Sequence, residues 1–354
     1  MKRPPLPSPF SRPASGFPDG NDAVIAFTTR IRLARNLADL PFPSRLTATQ
    51  RREVARRAGA ACAECRPALL RQTSSMDRLS PLDRRLLLEW HLISREMATA
   101  ATGALLEEED GRVSLMLNEE DHLRLQVLTP GLDLPGAFRE ADDFDTALAQ
   151  HLPFAFDAEL GFLTACPSNA GTGLRASVML HLPALMVTGA VEGVARAAGR
   201  LKLAVRGCLG EGSEPWGNLF QVSNQSTLGE AETAILERLQ GIVERLIRAE
   251  EAARQQLLTR NTPEEQDRLG RAFGILAHAR RLGTQEAMNL LSLLLLGAEL
   301  GWFPRLRPER LRRLLLEVQS GQIQLAAGRE LSPPERDEQR ARLTRAALAD
   351  AART

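Results

Sequence analysis

Short stretches in which hydrophobic and polar residues alternate recur through the first two thirds of the chain, and this period is typical of half-buried β-strands. Alternating or apolar stretches predict strands at residues 23–28, 112–117, 123–128, 161–165, 174–182 and 219–223. Hydrophobic residues at helical spacing predict helices at residues 47–70, 81–89, 144–150, 184–204 and 227–258. The last of these helices is expected to open with a capping box formed by Thr227 and Glu230.

The pattern changes beyond residue 259, where only helical spacing recurs. Capping residues or prolines indicate helix starts at Thr262, Thr284, Pro308 and Ser332. A chain of 354 residues also exceeds what one hydrophobic core usually organises. We therefore expect an α+β fold class with an arm at residues 1–21, a mixed domain at 22–256 and an all-helical C-terminal domain at 257–354.

Composition places the chain among ordinary globular proteins, with 44% hydrophobic and 25% charged residues. The 45 basic and 44 acidic residues leave a net charge of +1, so no global field attracts nucleic acid or an anionic membrane. The longest apolar run, 290–296, is far shorter than the roughly 20 residues that cross a bilayer. Neither nucleic acid nor a membrane is an expected partner.

Prolines interrupt the first 21 residues, which lack the continuous apolar segment of a secretory signal, so a cytoplasmic protein is expected. Cys62 and Cys65 form a C-x-x-C pair inside a helical pattern, without a second pair of ligands. A packing role is favoured there over a metal site.

Three consecutive acidic residues lie between two predicted strands, in the sequence Asn-Glu-Glu-Asp-His at 118–122. Adjacent carboxylates repel one another unless cations face them. The segment alone is equally compatible with a solvated hairpin tip and with a catalytic site. Arginines near strand ends and glycine-rich turns favour the catalytic interpretation, at positions 30, 32, 124, 175 and 206. Because guanidinium groups bind phosphate oxygens in bidentate fashion, these arginines predict a phosphate clamp.

Glycines at 171, 173, 207, 210, 212 and 217 would allow backbone N–H groups to approach a polyphosphate. Their spacing matches neither the P-loop nor the dinucleotide-binding fingerprint. Cys166 follows a predicted strand, and a nearby cation such as Arg175 would favour its thiolate. A buried, inert thiol is the commoner role of such a cysteine.

Several segments resemble the ATP:guanido phosphotransferases, the family of the phosphagen kinases and their bacterial relatives. The similarity lies in Asn-Glu-Glu-Asp-His-Leu-Arg at 118–124, Cys-Pro-Ser-Asn-Ala-Gly-Thr-Gly-Leu-Arg-Ala-Ser-Val at 166–178 and the loop at 206–214. Thr-Arg-Ile-Arg-Leu-Ala-Arg-Asn at 29–36 and His-Leu-Ile-Ser at 91–94 are similar to the bacterial protein arginine kinases. The resemblance implies a phosphagen-kinase-like catalytic domain, with an antiparallel sheet flanked by helices.

The resemblance also implies a site for ATP and a guanidinium. Glu120 would orient and deprotonate the guanidinium, Glu211 would hold its other edge, and Cys166 would offset its positive charge. ATP would be bound by Thr28, Thr29, Arg30, Ile31, Arg32, His91, Arg124, Arg175, Ala176, Ser177, Val178, Met179, Arg206, Gly207, Cys208, Leu209 and Gly210. Mg²⁺ would be carried by the phosphates of ATP rather than by protein ligands.

The last predicted helix contains Arg-Asp-Glu-Gln-Arg-Ala, which resembles the Arg-Asp-x-x-Arg-Ala motif of the same family. An allosteric phosphoarginine site is thereby implied at Arg336, Asp337, Arg340 and Ala341. Two arginines at i and i+4 repel one another, so an anion between them is physically sensible. A solvated helix face is the alternative.

Arginine side chains of proteins are the expected substrate, because the small-molecule relatives carry a helical domain before the catalytic core whereas this motif series begins at Thr28. A kinase of free arginine and a non-catalytic phosphoarginine-binding adaptor are the alternatives. Family analogy implies a zinc-finger activator, a Clp-type ATPase and a second copy of the chain as partners, and a role in marking proteins for proteolysis under stress.

Overall fold

The computed structural model describes residues 25–190, 203–207, 216–225 and 227–349. Its strands are β1 (Ala26–Arg35), β2 (Gln72–Ser75), β3 (Ala104–Glu107), β4 (Val113–Leu117), β5 (Leu123–Pro130), β6 (Phe156–Asp157), β7 (Gly161–Phe162), β8 (Leu174–His181), β9 (Leu203–Gly207) and β10 (Leu219–Asn224). The α-helices within these ranges are α1 (Ala48–Cys65), α2 (Pro81–Glu89), α3 (Arg95–Thr99), α4 (Leu134–Ala149), α5 (Pro183–Val187), α6 (Glu232–Arg260), α7 (Pro263–His278), α8 (Thr284–Glu299), α9 (Pro308–Glu317), α10 (Ser320–Ala327) and α11 (Pro333–Leu348). None of these helices is long and apolar enough to cross a membrane, and the predicted arm at 1–21 lies outside the described residues.

Eight strands form one antiparallel sheet in the order β2-β3-β4-β5-β1-β8-β10-β9, and β6 pairs with β7 in a small separate hairpin. β1 lies between β5 and β8, so that Arg32 is opposite Gln126 on one side and Arg175 on the other. Helices cover both faces of the sheet. The predicted α+β fold class, with an antiparallel sheet flanked by helices and followed by helices alone, is confirmed.

The first hydrophobic core lies between one face of the sheet and helices α1, α4 and α6. Alternate residues of the central strands enter it, among them Ile31, Leu125 and Val178, because successive side chains of a strand point to opposite faces. Each such side chain contributes about 1.5–3 kcal/mol when fully buried. A slip of one residue would exchange these side chains for the polar ones between them, so the core specifies the register strongly.

The second hydrophobic core joins the opposite face of the sheet to the C-terminal helices. Met116, Leu128 and Met179 of the sheet share this core with Leu291 of α8 and Leu315 of α9. The helices beyond residue 260 therefore pack directly against the sheet. The domain division between residues 256 and 257 stays a prediction, because α6 runs through it without a break.

Several helices begin where the capping residues predict them. The hydroxyls of Ser80 and Thr262 accept hydrogen bonds from the N–H groups of Asp83 and Glu265, and α2 and α7 each begin at the proline that follows the cap. α1 ends at Cys65 rather than residue 70, because a following proline disfavours helical backbone at the residue before it. Local chemistry is sufficient to predict these boundaries.

The predicted capping box at Thr227 is wrong. α6 begins at Glu232, and the hydroxyl of Thr227 donates a hydrogen bond to the carbonyl oxygen of Ala170 at 2.6 Å. The two residues are 57 positions apart, and their hydrogen bond holds the segment before α6 against the turn that follows Cys166. A tertiary hydrogen bond has replaced the local one.

The helix predicted at 184–204 is wrong at its C-terminal end. Leu203 and Ala204 lie in β9, where they pair with Asn224 and Ser223 of β10. Leu203 is buried in the first core, so this apolar segment completes the edge of the sheet. The strand predicted at 161–165 is likewise shorter, since only Gly161–Phe162 pairs in β7.

Cys62 lies in the first core, where burial raises the pKa of its thiol to about 12. Cys65 lies one turn later on α1 and is half-buried. The cysteines that the structure describes, Cys62, Cys65 and Cys166, are free thiols. The C-x-x-C pair is thus placed as packing residues of α1.

Glu89 connects the end of α2 to the C-terminal helices. Its buried carboxylate accepts hydrogen bonds from the N–H groups of Gly321 at 2.8 Å and Gln322 at 3.2 Å, at the start of α10. The first N–H groups of a helix have no acceptor within the helix, and Glu89 supplies one. Burial raises the pKa of Glu89 to about 7, although these N–H groups and Arg85 act in the opposite direction. A Cβ atom at Gly321 would lie 2.6 Å from the carboxylate, so the contact requires glycine.

We expect Glu89→Ala to lower the free energy of unfolding by about 1–3 kcal/mol, because it leaves buried N–H groups without an acceptor. Urea unfolding measures the change. Glu330→Ala, at an exposed glutamate, is the matched control and should have little effect. An equal effect of the two substitutions would contradict the assigned role.

Glu89 should also make the free energy of unfolding depend on pH. The folded-state pKa of about 7 lies above the ordinary value of 4.5, so the wild type should lose stability as the pH rises from 4.5 through about 7. Glu89→Gln lacks this titration, and its stability relative to the wild type should rise over the same range. Parallel pH profiles of the two proteins would show that Glu89 is not the titrating group.

Candidate active site

Four arginines lie on one face of the central strands, Arg30 and Arg32 on β1, Arg124 on β5 and Arg175 on β8. Arg32 is directly opposite Arg175, and Arg124 is opposite Ala34, two residues along β1 from Arg32. The residues between them in sequence enter the first core, so the arginines share the other face, called here the arginine face. Neighbours of this kind lie within about 8 Å of one another.

The arginine face concentrates positive charge within a buried part of the sheet. In the part of the chain that the structure describes, Arg30 and Arg32 form no ion pair, and the Nε atom of Arg32 is buried without an acceptor. Burial, followed by Arg124 and Arg175, lowers the pKa of Arg30 to about 10. Burial and the other three arginines lower the pKa of Arg32 well below its ordinary value. An anionic ligand would relieve this repulsion.

Glu119, the first glutamate of the acidic turn at 118–122, positions Arg124. Its carboxylate accepts hydrogen bonds from the Nη1 of Arg124 at 2.6 and 2.8 Å and from the hydroxyl of Ser94 at 2.5 Å. Burial disfavours both charges, but the pair outweighs burial, so the pKa of Arg124 is raised and that of Glu119 is lowered. Both groups therefore stay charged in the folded protein.

His91 borders the arginine face at the end of α2, with a left-handed backbone φ of 59°. Its carbonyl oxygen accepts a hydrogen bond at 2.9 Å from the side chain of Gln126, which is opposite Arg32 in the β1–β5 register. Burial, followed by Arg30, lowers the pKa of His91 to about 4. The ring is thus neutral at neutral pH and adds no further positive charge.

Asp121 connects the acidic turn to the segment that carries Cys166. Its Oδ1 accepts hydrogen bonds from the side-chain amide of Asn36 at 2.6 Å and from the N–H of Ala165 at 2.8 Å. The Oδ1 of Asn36 accepts the N–H of His122 at 2.9 Å. The end of β1, the acidic turn and the approach to Cys166 are therefore held as one unit.

Glu120 is the exposed member of the acidic turn and lies beside the cysteine turn, residues 166–173. Its Oε2 accepts a hydrogen bond from the Nδ2 of Asn169 at 3.3 Å. Cys166 is half-buried at the start of this turn, with its Sγ 3.0 Å from the hydroxyl oxygen of Ser168. Burial, followed by Asp121, raises the pKa of Glu120. The structure thus brings the predicted base and the predicted cysteine to adjoining turns.

Arg35 anchors the glycine-rich end of the cysteine turn. Its Nη1 donates to the carbonyl oxygen of Thr172 at 3.0 Å, and its Nη2 pairs with Asp145 of α4 at 2.7 Å. Gly173 has a φ of 66°, and a Cβ there would lie 2.5 Å from this guanidinium. These contacts fix the end of the cysteine turn, and with it the position at which Arg175 enters the arginine face.

Some predicted nucleotide positions have their side chains elsewhere. Ile31, Ala176 and Val178 enter the first core, on the opposite side of the sheet from the arginines. Met179 belongs to the second core, and Thr28, Thr29 and Ser177 are buried. The Thr29 hydroxyl donates to the carbonyl oxygen of Gly131 at 2.8 Å. Ser177 and Met179 alternate with the core residues of β8 and therefore share the face of Arg175. The nucleotide contacts of all these positions stay predictions.

Arg206 and Gly207 lie at the end of β9, in backbone register with Gln221 and Phe220. β9 is the edge strand of the sheet, and β10 lies between it and β8, which carries Arg175. Cys208, Leu209, Gly210 and Glu211 lie outside the described residues. The roles of these loop residues stay predictions.

Arg340 of the C-terminal motif is only 1% exposed. Its Nε donates to the carbonyl oxygen of Val318 at 2.7 Å, and its Nη1 donates to that of Leu282 at 2.6 Å. Both carbonyl groups precede helices, α10 and α8 respectively. Arg340 therefore holds three C-terminal helices together.

The other residues of the motif differ in setting. Arg336 is half-buried and donates to the carbonyl oxygen of Leu331 at 2.8 Å. Asp337 accepts from the Nη1 of Arg340 at 2.7 Å, and Ala341 is buried in the second core. The phosphoarginine site stays a prediction, with Arg336 and Asp337 as its more accessible members.

Sequence reasoning missed Asn36, Glu119, Asp121 and Gln126 as residues that build the site. Asn36 and Asp121 are 85 residues apart, so no local pattern joins them. The available signal was polarity at positions that strand alternation makes buried, such as Gln126 within β5. Such a residue needs a hydrogen-bond partner inside the fold.

Two family matches cover most of the chain. Residues 54–253 match the family described as ATP:guanido phosphotransferase, C-terminal catalytic domain, and residues 263–354 match the protein-arginine kinase McsB C-terminal domain. A protein-arginine kinase of Symbiobacterium thermophilum is 46% identical, over 93% of this chain and 94% of the relative. One from Brevibacillus brevis is 44% identical, over 97% and 96%. The chain belongs to the protein-arginine kinase family.

Solved structures of phosphagen kinases are similar to this member of the protein-arginine kinase family. Lombricine kinase is 26% identical with a TM-score of 0.55, over 68% of this chain and 70% of that chain. A substrate-free taurocyamine kinase from Schistosoma mansoni is 24% identical with a TM-score of 0.57, over 75% and 40%, and shows the fold alone. Membership of the family makes the protein an enzyme of the ATP:guanido phosphotransferase class.

In this protein-arginine kinase family member we expect Gly171→Ala to destabilise the cysteine turn by about 1–3 kcal/mol. Gly171 has a φ of 102°, and a Cβ there would lie 2.7 Å from the carbonyl oxygen of Thr227. Gly270→Ala, in the interior of α7 with nothing near its Cβ position, is the control. It should stabilise by about 0.5–1 kcal/mol. Thermal unfolding that places both variants on the same side of the wild type would contradict this assignment.

Proposed function

We propose that this protein transfers the γ-phosphate of ATP to a guanidinium nitrogen of arginine side chains in other proteins. The observation that carries the proposal is the arginine face, where Arg30 and Arg32 form no ion pair with any described residue and which adjoins the exposed Glu120. Arg124 connects the two, because it pairs with Glu119 and lies close enough to lower the pKa of Glu120. The relatives' name, protein-arginine kinase, supports arginine in proteins as the substrate.

The phosphates of ATP are proposed to bind to Arg30, Arg32, Arg124 and Arg175, with Arg206 at the edge of the sheet as a fifth contact. Phosphoryl transfer demands mainly positioning and charge stabilisation, and guanidinium groups supply both. The buried Nε of Arg32 without an acceptor supports an anionic occupant. Binding would also relieve the repulsion that lowers the pKa of Arg30 and Arg32.

The substrate guanidinium is proposed to bind against Glu120. A guanidinium has a pKa above about 12, so its nitrogen attacks only when a carboxylate aligns it and accepts a proton. The raised pKa of Glu120 makes it a stronger base than an ordinary glutamate. Cys166 would offset the remaining positive charge, and Glu211 would hold the other guanidinium edge from its loop.

The reaction is proposed as a direct in-line transfer without a phosphoenzyme. The N–P bond forms as the bond between the γ-phosphorus and the bridging oxygen of ADP breaks, and the displaced guanidinium proton passes to Glu120. The arginines stay charged throughout and stabilise the charge on the transferring group. No co-reactant beyond ATP is needed.

Magnesium is proposed to arrive with ATP. Within the described ranges, no group of three or more His, Cys, Asp or Glu residues is placed to hold a metal ion. Polyphosphate oxygens are ligands that Mg²⁺ prefers, and the surface proposed for them is built of arginines rather than carboxylates. When bound, the ion would neutralise part of the charge on the β- and γ-phosphates.

Further assignments accompany the proposal. Residues 22–256 would form the catalytic domain, and 257–354 a helical domain with a phosphoarginine site around Arg336. By family analogy the protein would act in the cytoplasm as a homodimer, with a zinc-finger activator and a Clp-type ATPase as partners in stress-related proteolysis. The inhibition or activation of the kinase by added phosphoarginine would test the second site separately.

The test of the function is to incubate the protein with Mg-ATP and either an arginine-rich protein or free arginine. We expect an acid-labile phosphate on guanidinium nitrogen of the protein, detected by phosphorus NMR. Labelling of free arginine alone would favour the small-molecule kinase. Labelling of serine hydroxyls would contradict the reaction class.

We expect Glu120→Gln to lower kcat by about a hundred- to ten-thousand-fold, because it removes the proton acceptor. In the wild type, kcat/KM should fall as the pH falls through the raised pKa of Glu120, at a higher pH than for an ordinary glutamate. Glu96→Gln, at a nearby exposed glutamate, is the control and should keep most of the activity. Full activity of Glu120→Gln would show that the base has been assigned wrongly.

A further inference from the structure

Three large apolar side chains are exposed beside the cysteine turn. Phe156 is 61% exposed, Leu228 is 51% exposed and Leu160 is 49% exposed. Among the described residues the next most exposed large apolar side chain, Ile275, reaches only 40%. Exposed apolar clusters of this kind mark interaction sites in soluble proteins.

The segments that carry these three side chains meet at the cysteine turn, and Phe156, Leu160 and Leu228 are together called here the hairpin patch. A Cβ at Gly161, which follows Leu160, would lie 2.8 Å from the Cα of Gly171. A Cβ at Gly171 would in turn lie 2.9 Å from the Cα of Leu228. The three backbone segments are therefore in direct contact, and their apolar side chains flank the cysteine turn.

The hairpin patch has a fixed position relative to the proposed catalytic groups. Phe162 of β7 pairs with Gly171 of the cysteine turn, and its ring lies 3.5 Å from the guanidinium carbon of Arg35. The carbonyl oxygen of the next residue, Leu163, accepts a hydrogen bond from the Nδ2 of Asn36, which also donates to Asp121 of the acidic turn. The same hydrogen bonds that place Glu120 therefore place the patch.

The β6–β7 hairpin, which carries Phe156 and Leu160, has acidic side chains. Asp157 and Glu159 are exposed on the β6–β7 hairpin, and residues 154–163 contain no lysine or arginine. The N–H groups of Leu160 and Glu159 lower the pKa of Asp157, so this carboxylate is ionised at neutral pH. A segment that combines basic and apolar residues is complementary to this surface.

We infer that the hairpin patch is a docking surface for the polypeptide on either side of the arginine to be phosphorylated. The inference rests on the proposed function and adds a substrate preference to it. The preferred substrate has an apolar residue near the target arginine and further basic residues, which Asp157 and Glu159 favour. Three side chains expose at most about a few hundred Å². That area is small for a stable subunit interface, which buries about 1,200–2,000 Å², and it suits a transient contact with a short segment.

The inference is tested with two peptides, one with leucines on both sides of its single arginine and one with glycines in their place. For the wild type we expect a KM for the leucine peptide about tenfold below that for the glycine peptide. The double substitution Phe156→Ser with Leu160→Ser should raise the KM for the leucine peptide to that of the glycine peptide. The KM for ATP and the kcat for the glycine peptide should not change.

Ile275→Ser removes an exposed apolar residue from α7 and is the matched control, with no expected effect on either peptide. Glu159→Lys is a second test that removes no apolar contact. It should raise the KM for peptides with lysine beside the arginine and leave the glycine peptide unchanged. If circular dichroism shows that the double variant is unfolded, Glu159→Lys still tests the inference.

The outcomes separate the inference from the proposed function. If the wild type phosphorylates neither peptide, the proposed function fails and the docking surface fails with it. If it phosphorylates both with equal KM, and neither Phe156→Ser with Leu160→Ser nor Glu159→Lys changes this, the function stands and the inference is overturned. If the double variant instead lowers the mass seen by light scattering without changing either KM, the patch is a contact between subunits, which also overturns it.

Discussion

Repulsion among four arginines on one face of the sheet is the constraint on which the rest of this structure depends. Two unit charges about 7 Å apart repel by about 2 kcal/mol at an effective dielectric constant of about 20. Among the described residues, Arg124 pairs with the carboxylate of Glu119, whereas Arg30 and Arg32 form no ion pair. The crowding is therefore maintained by other parts of the fold, and it prepares the face for an anion.

The opposite face of the same strands supplies that support. Ile31 and Val178 are fully buried in the first core. Because they alternate with the arginines, the core cannot form in its register without placing the guanidinium groups together on the other face. Hydrophobic burial on one side of the sheet thus enforces electrostatic strain on the other. The acidic turn and the cysteine turn are attached to this frame through Asn36, Asp121 and Arg35.

The C-terminal helices reach the same face through a series of contacts. Arg340 holds the carbonyl group of Val318 just before α10, and the first N–H groups of α10 bind Glu89. Two residues beyond Glu89, the carbonyl group of His91 is held by Gln126 of the arginine face. The predicted phosphoarginine motif and the predicted nucleotide site are therefore connected by contiguous hydrogen-bonded elements.

Local chemistry made part of this structure predictable from sequence. The caps at Ser80 and Thr262 act over three residues, and strand alternation places Arg124 and Arg175 on one face once the sheet is known. The pairing of Glu119 with Ser94 and Arg124, and the burial of Arg340 among backbone carbonyl groups, depend on which segments meet in three dimensions. Thr227 shows the same limit, because a partner 57 residues away displaced its local capping role.

The most direct measurement of the central claim compares stability and ATP affinity in Arg32→Gln. If repulsion on the arginine face destabilises the protein in the absence of a bound anion, the substitution should keep or raise the free energy of unfolding without nucleotide. The reason is that it removes one of the repelling charges. Calorimetric titration should at the same time show ATP binding weakened by about tenfold or more, as expected for loss of a charged contact worth about 1.5–3 kcal/mol. A variant that is clearly less stable and binds ATP as tightly as the wild type would contradict the account.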